Sequence, residues 1–180
     1  MFSQSRFHFL TRALLPLLLL GFVAACTADK SQPWACPVTN FVYGLDHMTD
    51  FADGTVGDLT DVRFDARLTS LSALCNFERD RLVMDIAFQV IASRGPANRE
   101  DEAAVTYFLA IVDGTGGIVA KETFGNILPF KGNLRHVSIT EAFGPTIPYP
   151  ADRSILQNYR VLIGFQLTPE QRAYNRTRRR

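Results

Sequence analysis

Beyond the first 25 residues the chain carries two histidines, His47 and His136, the side chains best suited to moving protons near neutral pH. A general base needs a partner within hydrogen-bond reach. The sequence has no Gly-x-Ser-x-Gly elbow, no His-Glu-x-x-His pair and no Ser-x-x-Lys motif to announce one. His136 shares a strand-like segment with Arg135 and Ser138, so a serine–histidine pair is the one catalytic arrangement left open, against the simpler reading of a surface histidine. Asp46, Asp50, Asp53, Asp58 and Asp61 crowd one stretch and raise the question of calcium, which takes six to eight oxygen ligands. The run from Asp50 through Asp53 to Gly54 lacks the alternating ligands and closing glutamate of an EF-hand, so these are expected to be solvated turn aspartates. Gly114, Gly116 and Gly117 form no phosphate cradle, because no lysine or helix start follows them. No metal site and no cofactor is expected. Phe143, Tyr149 and Tyr159 border a proline-rich stretch containing Pro145, Pro148 and Pro150, where aromatic side chains could line a ligand or partner loop.

The first 25 residues have the three parts of an export signal: a positive start with Arg6 and Arg12, an apolar run, and small residues at its end. The run from Ala13 to Ala25 is shorter than the ~18 residues a membrane-spanning helix needs. It closes on Val23-Ala24-Ala25-Cys26, which resembles the lipobox of bacterial lipoproteins. That resemblance covers residues 1–26 only and implies removal of residues 1–25, a diacylglyceryl thioether on Cys26, and acyl anchoring to a membrane. Two or more chains hold stably where one holds marginally. Thr27 stands where the family's inner-membrane retention signal would usually be Asp, so the resemblance implies the outer membrane, facing the periplasm. Residues 26–35 then form a lipidated tether of at most roughly 30 Å.

Of the chain's three cysteines, lipid on Cys26 leaves Cys36 and Cys75 as an even pair in an exported protein, for which a disulfide is the economical expectation. Neither has a neighbouring Cys or His at zinc-ligand spacing. Charge is nearly balanced over the whole chain, at +1, but Arg172, Arg176, Arg178, Arg179 and Arg180 fall in the last ten residues and leave the body acidic. An acidic body argues against nucleic-acid binding. The basic tail, taken as residues 177–180, could instead meet anionic lipid through Arg178, Arg179 and Arg180.

The elements that must position these groups are strands. Alternation over Val62–Leu68, Leu82–Val90 and Val105–Val112 has period two, and the last run is apolar on both faces, as a central strand would be. Asp113 to Gly117 reads as a hairpin into Ile118–Phe124. Leu134–Thr140, Tyr159–Leu167 and Val38–Leu45 complete about seven strands. Together these predict an all-β, antiparallel, immunoglobulin-like sandwich over residues 36–176. Two long connections are expected, Thr49–Leu59 and Phe143–Asn158. Thr168-Pro169-Glu170-Gln171 carries a capping box and predicts a short C-terminal helix to about Asn175.

With a core, turns, a cap and an anchor but no assembled chemistry, the chain reads as a non-catalytic lipoprotein. The expectation is a protein-binding or scaffolding module that engages an envelope protein through a sheet face, an edge or its loops. A small-ligand or glycan binder is the alternative, and a hydrolase built on His136 a distant one.

Overall fold

The computed structural model describes residues 35–52, 56–149 and 153–178. The leader, Cys26, the tether up to residue 34, Asp53, Pro150, Arg179 and Arg180 lie outside the described residues.

The protein is an all-β sandwich with one short C-terminal helix. Its strands are β1 (Val38–Phe41), β2 (His47–Phe51), β3 (Val62–Phe77), β4 (Arg81–Arg94), β5 (Glu102–Val112), β6 (Ile118–Pro129), β7 (His136–Phe143), β8 (Thr146–Pro148) and β9 (Arg160–Phe165), followed by α1 (Pro169–Arg178). One sheet has the order β1-β9-β5-β6, the other β2-β3-β4-β7, with β8 pairing the start of β4. All pairings are antiparallel except β1 with β9, which is parallel and departs from the expected uniform pattern. The doubly apolar β5 is an interior strand, as its sequence requires.

The core is made by one face of each strand. Leu82, Met84, Ile86, Phe88, Val90 and Ala92 of β4 face Val105, Tyr107, Leu109 and Ile111 of β5. Phe88 is the hub of a ring cluster, with Tyr107 edge-on at 5.6 Å and Phe143 stacked at 5.7 Å. Such ring pairs each add roughly 0.5–1.5 kcal/mol beyond the area they bury.

Strand β3 is longer than its sequence predicts. Val62, Phe64, Ala66 and Leu68 point inward; then Ser70 takes a positive φ of 55°, the pairing with β4 shifts, and Leu71, Ala73, Cys75 and Phe77 continue on the same face. The bulge reverses the parity of the alternation, which is why the second half did not read as strand. The two stretches expected to be loops also contain strands, β2 in the first and β8 in the second. At the far end of the chain the capping box forms: Thr168 N–H donates to Gln171 Oε1 at 3.0 Å and Gln171 N–H to Thr168 Oγ1 at 3.2 Å. The helix runs past Asn175 to Arg178, so Thr177 and Arg178 belong to the folded body rather than to a tail.

Candidate functional site

Strand register brings four polar residues into one row across the outer face of the second sheet: Thr49 on β2, Asp65 on β3, Ser93 on β4 and His136 on β7. Their sequence neighbours Ala66 and Ala92 point into the core, so period two puts the row on the solvent side. Asp65 is the centre of its denser half. Its carboxylate meets His47 Nε2 at 2.8 Å and accepts hydrogen bonds from Thr49 Oγ1 at 2.9 Å and Arg178 Nη1 at 2.8 Å. Partial burial pushes the Asp65 pKa up, but the bonds from His47, Arg178 and Thr49 outweigh it and hold the carboxyl below its usual range.

Arg178 reaches this row from the end of α1, which is fastened along β2. Asn175, only 4 % exposed, donates through Nδ2 to the carbonyls of His47 at 2.7 Å and Gly44 at 2.9 Å. Tyr174 sets its ring edge-on against Phe51 at 4.9 Å. Because Leu68 N–H bonds Asp46 C=O, the alternation of an antiparallel ladder turns the His47 carbonyl away from β3, toward the outer edge of β2. Asn175 therefore occupies acceptors that another strand would otherwise find there, and α1 covers that edge.

The other half of the row holds the only serine–histidine contact among the described residues: Ser93 Oγ and His136 Nδ1 are 2.9 Å apart. Sequence reasoning offered Ser138 as the partner; the β4–β7 pairing supplies Ser93 instead, 43 positions away. The pair is exposed, and Asp65 lies in the row beyond Ser93 rather than behind His136; among the described residues no carboxylate is bonded to the imidazole. The denser half of the array holds α1 against β2 and β3.

The opposite flank of the sandwich is open. Both β6 and β7 pair on one side only, with β5 and β4 respectively. Phe130 N–H bonds Asp101 C=O across the ladder, whereas Ile127 N–H is taken by its neighbour's side chain, Asn126 Oδ1. Alternation then leaves the backbone groups of Lys121, Thr123 and Gly125 facing outward along the free edge of β6. This edge also carries exposed aliphatic side chains: Ile118 at 66 %, Val119 at 56 % and Ile127 at 57 %.

The two edge strands touch through side chains at one point and part below it. Phe124 and Phe143 lie 4.5 Å apart, and Asn126 Nδ2 donates to Glu141 Oε1 at 2.9 Å. Tyr107 comes up beneath them; burial and then the adjoining Glu141 carboxylate raise its pKa above the usual tyrosine value. Toward Gly144–Thr146 the sheets separate into a cleft of about 290 Å³, floored by Leu109 and Ile111, ended by Phe124 and Phe143, and rimmed by Lys121 and Glu122. Lys121 turns its ammonium to the outer face, where it bonds Gln166 Oε1 at 3.1 Å and lies 4.6 Å from the Phe108 ring centroid. Glu122, on the inter-sheet side of β6, is left as the charge at the cleft.

Cys36 and Cys75 form a disulfide, with Cα atoms 5.9 Å apart, tying the start of β1 to the end of β3. The three aromatic residues of the suggested loop do not converge. Phe143 lines the cleft, Tyr149 is buried with its hydroxyl donating to the Glu78 carbonyl, and Tyr159 packs against the core. Three of the four described aspartates in the aspartate-rich stretch have side-chain partners: Asp50 pairs with Arg63 at 2.7 Å, Asp58 caps the turn at Thr60, and Asp46 accepts from Gly44 N–H; Asp61 closes the 3-10 turn through its backbone. Among the described residues no three metal-ligating side chains are grouped to hold an ion, and no helix is long and apolar enough to cross a membrane. Comparison with protein-family models, with curated proteins and with solved structures gave no match.

Proposed function

We propose that the protein is a non-catalytic binding or scaffolding lipoprotein, anchored through Cys26 at the periplasmic face of the outer membrane, that engages an extended segment of an envelope protein along β6. The observation that carries this reading is the asymmetry of the sandwich edges. The β2 edge is covered by α1, while twelve-residue β6 turns the backbone groups of Lys121, Thr123 and Gly125 outward along an unpaired edge and keeps its aliphatic side chains exposed. Uncovered edges invite another strand, and main-chain hydrogen bonds then supply affinity whatever the segment's sequence. The cleft of about 290 Å³ adjoins this edge and so fits the same reading.

Thr123→Pro tests it. The Thr123 N–H faces outward, so proline there leaves the β5–β6 ladder intact and places a ring on the edge, a position where strands tolerate it. Detergent-solubilised membranes carrying the unaltered protein should yield a stoichiometric partner on co-purification, and the variant should fold with the same melting temperature but lose that partner. Equal recovery by the variant would refute engagement through β6.

A further inference from the structure

We infer that Glu122 makes the β6 edge selective, admitting a strand that presents an arginine or lysine side chain to the cleft. This deepens the reading of β6 as the binding edge and rests on it. A strand laid along β6 sends alternate side chains to the inter-sheet side, where Ala120, Glu122 and Phe124 point and where the cleft opens. The added strand closes that opening and takes the Glu122 carboxylate, now exposed, away from water. A carboxylate covered without a counter-charge is strongly disfavoured, which is how inward-pointing charges guard sheet edges against indiscriminate pairing.

Among the described residues the one cation rimming the cleft is Lys121, and it does not relieve this. The ammonium of Lys121 is committed to Gln166 and the Phe108 face on the other side of the sheet. Glu141, the next acid along the seam, already accepts from Asn126 and lies beside the Tyr107 hydroxyl. The charge must therefore arrive with the incoming segment. The cleft mouth fits such a side chain, with the rings of Phe124 and Phe143 to flank its methylene stem and Glu122 beside them on β6 to take the head. Aromatic faces beside a guanidinium or ammonium add a further attraction. Edge protection and partner choice are then one device, because Glu122 repels strands that lack the cation and pairs with those that bring it.

The test uses the full ¹⁵N-labelled chain in detergent and short threonine-rich strand-forming peptides with arginine, leucine or glutamate at the central position. The arginine peptide should shift the amide signals of Lys121, Thr123 and Gly125 and bind about tenfold or more tighter than the leucine peptide, a preference that Glu122→Gln should abolish without weakening the leucine peptide. Peptides that shift β6 amides with no arginine preference would overturn the role of Glu122 and leave strand addition standing. No shift along β6 with any peptide would overturn strand addition itself.

Discussion

Breaking the Cys36–Cys75 bond should cost the body a large share of its stability. The two cysteines are 39 positions apart, and in the chain-entropy treatment opening a loop of that size removes about 4 kcal/mol of constraint on the unfolded chain. The fold offers little to replace it. Beyond Arg67 strand β2 no longer pairs with β3, so the stretch carrying Cys75 is held in its sheet by β4 alone. On the other sheet, β1 is a four-residue edge strand paired only with β9. A domain of this length loses about 2–4 °C of melting temperature per kcal/mol, so removal should lower the melt by roughly 8–16 °C. The clean comparison is far-UV circular dichroism of the oxidised protein against Cys36→Ser/Cys75→Ser, which removes both sulfurs, alongside the reduced and alkylated protein. Coincident melts would refute the reasoning, since a constraint on the unfolded chain acts however well the native contacts survive.

The remaining expectations concern the anchor and the helix. Cys26→Ser should move the protein from the membrane to the soluble fraction on cell fractionation; persistence in the membrane would shift the attachment to the basic tail or to a protein partner. The Asp65 carboxyl has a lowered pKa when folded, so its contribution is fully present above the unfolded value of about 3.9 and is lost as pH falls through the folded one. Amide exchange of α1 should accordingly rise relative to the strands only below about pH 3.9, and Asp65→Asn should give that exchange at neutral pH and remove its acid dependence. Unaltered α1 protection in Asp65→Asn would mean that Asn175 and Tyr174 alone hold the helix.

What the sequence made legible was whatever depends on neighbours along the chain. Period two located β4, β5 and β9 because each keeps one parity over most of its length, the Asp113–Gly117 turn announced β6, and the Thr168–Gln171 capping box is a contact between residues three apart. Strand β3 was only half visible because the bulge at Ser70 changes which parity faces the core. Strand β2 was hidden by its own role: His47, Thr49 and Asp50 are polar because they serve the Asp65 row and the Arg63 pair, and polar residues among aspartates read as a loop. The site depends on pairings across the sheets. Nothing local to His136 indicates Ser93, and nothing local to Glu122 indicates that β6 would end a sheet with a cleft beneath it.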